Sequence, residues 1–330
     1  MKINRPTIFY LPHIFYLPHI FYLSYIFTVR CVVRPRSPSS RKQRNQLERR
    51  GLISNLSLRI NLVHDPSPGA LESLPIWVLL VGGFALGAIV GSFLATISIR
   101  WPRGESVLIG RSRCDSCGSL LRAYDLIPVV SFLFLRRRCR SCASPIESLH
   151  LAVEVASGAI GALSIALFPN WLGLIVAGVG WLLLLIATLD LYNFWLPDSL
   201  TLFLLLGSLA LGPLGIDPAM PDRIIGAIAG FLVLWCMARI YRTVTSREGM
   251  GAGDPKLFAA IGALLGWQQL PFILLGAGML GIAVVCSLHL AGRKMSAKTQ
   301  VPLGTLLAGV AWPLWLMALI FPISRGSSGG

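Results

Sequence analysis

Two aspartates, Asp190 and Asp254, each stand where a long apolar run meets a loop. Asp190 closes the run WLLLLIATLD and precedes LYNFWLPDSLTL; Asp254 closes GMGAGD and precedes PKLFAAIGALLGW. An ionisable side chain at membrane depth is costly to keep, so it reads as functional and is expected to have a partner. Two carboxylates brought together can share one proton and activate water, which is the chemistry of aspartic proteolysis. Asp190 lies at the C-terminal end of its helix, where the dipole disfavours a negative charge. Around Asp254, Gly249, Gly251 and Gly253 permit a close backbone approach, so that a substrate strand can lie beside the carboxylate. Lys256 is placed to pair with Asp254 or with a lipid phosphate. Asp198, followed by Ser199, has the position of a helix N-cap as much as that of a third functional acid.

A second cluster is built from cysteine. Cys114, Cys117, Cys139 and Cys142 form two C-x-x-C pairs in the stretch RCDSCGSLLRAYDLIPVVSFLFLRRRCRSC. Two such knuckles can supply four thiolates to one tetrahedral zinc and leave no open coordination position. The metal, Zn2+ or another thiolate-bound ion, is therefore structural, folding a loop that lacks apolar area of its own. Disulfides are the alternative, and a cytoplasmic loop disfavours them. Cys236 and Cys286 lie in apolar runs and are expected to be small core residues. His150 and His289, at span ends, read as interfacial.

The elements that must hold these residues are membrane spans. Hydrophobic residues make up 55% of the chain and charged ones 13%, which sets it apart from a water-soluble domain. Eight spans are expected, at roughly 75–99, 149–168, 171–189, 199–214, 223–241, 257–267, 271–290 and 301–321. The sixth is short enough to be tilted or re-entrant. The fold class is an all-α polytopic membrane protein with a four-cysteine zinc-binding loop in the cytoplasm. The net charge of +15 could suggest nucleic acid as a partner, but its distribution argues for topology instead. Residues 1–65 carry eleven Lys/Arg against two acids, and the loop 100–147 carries nine against four. Basic loops face the cytoplasm, which places both aspartates on that side. The expected partners include membrane lipids and no nucleic acid. The segment 1–74 fits poorly: a six-residue repeat, IFYLPHIFYLPHIFYLSYIF, precedes a basic polar stretch. It reads as an upstream extension outside the fold, with translation starting nearer residues 62–78; an extra span is the alternative. The organisation is thus 1–74 extension, 75–148 first helix and Cys-rich domain, and 149–330 transmembrane peptidase core.

From these residues onward the chain resembles the bacterial prepilin peptidases, also called type IV leader peptidases, of the GxGD aspartic protease group. The likeness covers roughly residues 75–321. It rests on GSFLATISIRWPRGES, on the C-x-x-C pairs flanking YDLIPVVSF, on Asp190 with LPDSLTL, on GMGAGDPKL, and on VPLGTLL. The resemblance implies a bifunctional enzyme of the bacterial inner membrane. It would cleave the basic leader from type IV prepilins or pseudopilins on the cytoplasmic side, then N-methylate the new terminus with S-adenosylmethionine. It also implies that Asp190 and Asp254 are the catalytic pair and that the four cysteines bind zinc. Glu154 matches an acidic family position and equally reads as an interfacial Glu near a helix start. The chain departs from the family at Ala95, where Asn is frequent, at Gly110, where Pro is common, and at Pro255, where an aromatic is frequent. The first two bear on methylation more than on cleavage. A proton- or ion-coupled transporter using buried aspartates is the alternative function.

Overall fold

The computed structural model describes residues 71–106, 117–120, 128–129, 131, 134–135, 138–145, 148–246, 250–292 and 301–321. The repeat-bearing segment, Cys114, Gly110, Arg247, Gly249 and the basic residues 293–298 lie outside them. Eight α-helices are found among the described residues: α1 (Ile76–Arg100), α2 (Ser148–Leu167), α3 (Trp171–Asn193), α4 (Asp198–Ala210), α5 (Met220–Thr245), α6 (Asp254–Leu265), α7 (Leu270–Leu290) and α8 (Leu303–Ile320). They fall on the eight expected spans. No strand occurs among the described residues, only an isolated bridge between Arg138 and Pro145. Inside a bilayer every backbone polar group must be satisfied internally, and a helix does this within one segment.

Six of these stretches are long and apolar enough to cross a membrane. The exceptions are α4 and α6, of 13 and 12 residues. At 1.5 Å per residue they reach only about 20 Å, against a hydrocarbon core of about 30 Å.

The chain divides into two compact units. One holds the described residues within 71–92 and 121–178. Its centre is the contact between the first part of α1 and α2, where Gly83, Gly87 and Gly91 recur every fourth residue. A Cβ on Gly87 would stand 2.2 Å from the Ser157 carbonyl oxygen, so only glycine lets the backbones meet. Ser157 Oγ donates to the Gly87 carbonyl at 2.6 Å and fixes the register of the two helices.

The other unit holds the described residues within 93–120 and 179–321. Its core is α6, in which every residue except Lys256 is buried. It packs against α5, α4 and α8. Gly226 of α5 and Gly262 of α6 meet backbone to backbone, and a Cβ on either would come within 2.2 Å of the other's carbonyl oxygen. Pro255 occupies the first turn of α6, where its fixed φ is already helical. Gly266, at φ +82°, ends the helix, and a 3-10 turn over Trp267–Gln269 leads into α7. In the same unit, Ser98 of α1 lies 2.8 Å from the Thr188 hydroxyl of α3, tying α1 to the turn of α3 that bears Asp190. Ala95 is completely buried on α1.

One expectation fails here. Cys236 on α5 and Cys286 on α7 are exposed. A helix that is apolar all round gives no periodicity from which its buried face can be read.

Candidate active site

Asp190 and Asp254 belong to the same unit, and each is only 5% exposed. Asp190 sits in the last turn of α3, which closes when the Phe194 N–H donates to the Asp190 carbonyl at 2.9 Å. Phe194 itself is left-handed, at φ +49°, and turns the chain toward α4. The Asp190 carboxylate points at the start of α8. There the Thr305 backbone N–H donates to Oδ2 at 2.7 Å, and Thr305 Oγ1 stands 3.2 Å from the same oxygen. The Thr305 hydroxyl also lies 2.9 Å from the Ala187 carbonyl, so its single proton serves one acceptor at a time.

The N-cap of α8 is Pro302, whose side chain offers no acceptor. Asp190 therefore supplies from another helix the capping oxygen that α8 lacks. The α3 dipole opposes a charge on Asp190, as the sequence indicates, but the N-terminus of α8 favours it.

Asp254 is the first residue of α6, at a second helix N-terminus. Its Oδ2 accepts the Gly251 N–H at 3.1 Å. Asp254 lies outside the six long apolar helices. Burial pushes its carboxyl up to about 7, the nearby charge of Asp190 adds to the rise, and the Gly251 hydrogen bond opposes it. The two carboxylates thus sense one another's charge.

Leu196, in the α3–α4 connection, touches the supports of both acids. A Cβ on Gly253 would stand 2.7 Å from Leu196 Cβ. A Cβ on Gly304 would stand 3.0 Å from Asp190 Oδ2 and 3.1 Å from Leu196 Cδ1. Glycine is needed at both places for these approaches. Gly304 and Thr305 belong to the VPLGTLL segment, which the sequence singled out without a role for either residue. Asp190 and Thr305 are 115 positions apart, and no local pattern links them.

Lys256 does not pair with Asp254. Its Nζ donates to both carboxylate oxygens of Asp198 at 2.7 Å. Asp198 is likewise no N-cap: Pro197 holds that position, and Asp198 is the first helical residue of α4. The ion pair is solvent-exposed on both sides.

In the cysteine loop, Cys117, Cys139 and Cys142 each offer a sulfur that could serve as a metal ligand. The two knuckles, each taken alone, repeat one local design. Cys117 is followed by Gly118 at φ +67°, and its Sγ lies 3.0 Å from Ser119 Oγ. Cys142 is followed by Ala143 at φ +57°, and its Sγ lies 3.1 Å from Ser144 Oγ. In the second knuckle, the Cys139 N–H donates to the Ser144 carbonyl at 2.8 Å and the Ala143 N–H to the Cys139 carbonyl at 2.9 Å. Elsewhere in the loop, Glu154 of α2 is buried and accepts the Val129 backbone N–H at 2.8 Å. Val129 is left-handed, at φ +61°. The Glu154 carboxylate therefore faces the loop backbone and not the solvent.

Fold and site define a class: an integral, all-helical membrane protein with two buried, interacting carboxylates and a cysteine-rich loop. The model of the Bacterial Peptidase A24 N-terminal domain matches residues 85–168, and that of the Type IV leader peptidase family matches residues 177–286. A prepilin leader peptidase/N-methyltransferase of Burkholderia pseudomallei (strain 1026b) is 37% identical over 265 residues, covering 72% of this chain and 85% of the relative. Proteins of the same name from Aeromonas hydrophila and Myxococcus xanthus (strain DK1622) are 38% and 36% identical. They cover 63% and 72% of this chain, and 71% and 70% of their own lengths. No solved structure matches the chain. The chain belongs to the type IV leader peptidase family.

Proposed function

We propose that this chain is a membrane aspartic endopeptidase that removes the leader from type IV prepilins or pseudopilins and then N-methylates the new terminus. The observation that carries the peptidase half is the pair of buried carboxylates, each set at a helix N-terminus and interacting through charge. Such a pair holds one proton between its members near neutral pH. Asp190, with the Thr305 N–H and the α8 N-terminus at its carboxylate, is the ionised member. It takes a proton from water as that water attacks the scissile carbonyl. Asp254, raised by burial, keeps the proton and donates a hydrogen bond to the carbonyl oxygen as negative charge develops there. Leu196, packed against Gly253 and Gly304, braces the supports of both acids.

S-adenosylmethionine supplies the methyl group of the second step, and no residue of the chain is assigned to hold it. The four cysteines Cys114, Cys117, Cys139 and Cys142 would hold one Zn2+ as a structural ion. The matching turns after Cys117 and Cys142, with a left-handed residue and then a serine near sulfur, suit metal-binding knuckles. The basic loops support an inner-membrane location with both acids on the cytoplasmic side, and residues 149–330 form the peptidase core. No observation favours the transporter.

The test is mass spectrometry of a purified type IV prepilin after incubation with the detergent-solubilised chain and S-adenosylmethionine. Loss of the leader and gain of one methyl on the new terminus is the expected result. An unchanged prepilin in the presence of folded, metal-loaded protein would overturn the reading.

A further inference from the structure

Arg223 is a charged group that this chemistry does not use. It is the fourth residue of α5, in a helix apolar enough to span a membrane, and it is completely buried. A cation in such a place is unfavourable unless each of its donors finds an acceptor. Arg223 achieves this wholly with backbone carbonyls. Its Nε donates to Pro218 at 2.8 Å. One terminal nitrogen donates to Ser208 at 2.7 Å and to Ala263 at 2.9 Å, with Leu264 at 3.5 Å. The other donates to Ile216 at 2.8 Å and to Asp217 at 3.0 Å. All five N–H groups of the guanidinium are thereby engaged.

The acceptors show what is being held. Ser208 is in the last turn of α4, and Ala263 and Leu264 are in the last turn of α6. Helix ends leave their final carbonyls without internal partners and carry the negative pole of the dipole, so a cation suits both. The neighbouring residue reinforces the same junction. Asp222 Oδ1 accepts from Trp267 Nε1 at 2.9 Å and from Gln268 Nε2 at 3.0 Å, gripping the turn that follows α6.

At its other end α6 carries Asp254, about 14 Å away along the helix axis. That end is tied to α4 by the exposed Lys256–Asp198 pair, a weak kind of restraint. The Gly226–Gly262 contact sets how near α6 lies to α5. Gly230 of α5 likewise meets the Phe258 carbonyl of α6, where an added Cβ would stand 2.6 Å from the oxygen, and the hydrogen bonds of Arg223 add a directional hold at the far end. We infer that Arg223, seconded by Asp222, is a positioning clamp that seats the C-terminal end of α6 and so places Asp254 against Asp190. The inference rests on the peptidase reading. A displacement of about 1 Å in a catalytic group can cost about a hundredfold in rate, so a clamp one helix-length away can govern turnover.

The experiment is steady-state cleavage of a purified type IV prepilin by the full chain in detergent, with unfolding midpoints recorded beside the kinetics. Arg223→Lys offers three donors to six carbonyls. We expect kcat to fall about tenfold with KM within about twofold of wild type. Asp222→Ala, whose bonds lie nearer the surface, is expected to fold and to lower kcat about threefold with KM unchanged. A merely structural role would lower the folded fraction and the midpoint but leave kcat per folded molecule intact. Wild-type kcat in either folded variant, or a loss confined to KM, overturns the clamp; if Arg223→Lys does not fold, Asp222→Ala decides by the same criterion. A wild-type chain that cleaves nothing overturns the peptidase reading itself, an outcome distinct from failure of the clamp.

Discussion

The Asp190 carboxylate is held from a distant helix, and this makes its surroundings testable one atom at a time. Gly304→Ala would place a Cβ 3.0 Å from Asp190 Oδ2 and 3.1 Å from Leu196 Cδ1. Neither neighbour is free to withdraw, because Oδ2 is fixed by the Thr305 N–H and Leu196 is pressed on Gly253. We expect Gly304→Ala to lower prepilin cleavage at least about tenfold without loss of the folded protein, read as rate per unit of folded enzyme. The pH profile follows from Asp254. Its carboxyl is raised to about 7, so it is protonated below that pH and ionised above it. Above about pH 7 the pair loses its shared proton, and cleavage should fall towards tenfold per pH unit; a rate flat to pH 9 would contradict the assignment. The sequence disclosed both acids because a carboxylate beside an apolar run has no cheap structural explanation. It did not disclose Thr305, because the contact spans 115 positions. It offered Asp254 or a lipid phosphate as the partner of Lys256, whereas the partner is Asp198, which reaches Lys256 only when the N-termini of α4 and α6 are set side by side.

At the scale of elements, α6 is the part on which the site depends. It is a short helix enclosed by protein, and its packing on α5 leaves no room for side chains at Gly226 and Gly262. Gly262→Ala would bring a Cβ to 2.1 Å from the Gly226 carbonyl oxygen, a backbone atom that cannot rotate away. The helices must part, at a cost of about 1–3 kcal/mol. The expected readout is a lower unfolding midpoint in detergent, together with weakened cleavage. A wild-type midpoint would mean that the pair tolerates a wider spacing. In the other unit, Ser157→Ala removes the hydroxyl bond to Gly87 and is expected to cost only about 0.6 kcal/mol, the average for such bonds between membrane helices. The positions of all eight helices were legible because runs of apolar residues and their Gly, Pro and Asn borders are local features. Which face of each helix is buried was not legible. Cys236 and Cys286 illustrate this, since the helices that carry them are apolar all round and expose both. The fourfold glycine spacing at 83, 87 and 91 was available in the sequence as a sign of close helix contact, and it is the signal that sequence reasoning passed over.

At the scale of the whole molecule, the chain carries two buried carboxylates and a cysteine-rich loop whose thiols could hold a metal ion. Elemental analysis of the purified chain should find about one zinc per molecule. Removing it with a strong chelator should let trypsin cut after Arg138 and Arg140, whose side chains are exposed but whose backbone the folded knuckle holds, while the transmembrane helices keep their helical signal. Equal trypsin resistance with and without the chelator would separate the loop's fold from metal. The membrane character of the chain, its helix order and its family were all within reach of the sequence, because they rest on composition and on motifs in a fixed order. The mutual placement of Asp190, Asp254, Leu196 and Thr305 was not, because packing between distant helices sets it. The central claim is that Asp190 and Asp254 act as one proteolytic pair. The direct measurement is the single-turnover rate of prepilin cleavage by wild type, Asp190→Asn and Asp254→Asn, each shown to be folded and metal-loaded. The account predicts that either substitution lowers the rate by about a thousandfold or more and that the double variant loses little beyond that. Near-wild-type cleavage by either single variant would contradict it.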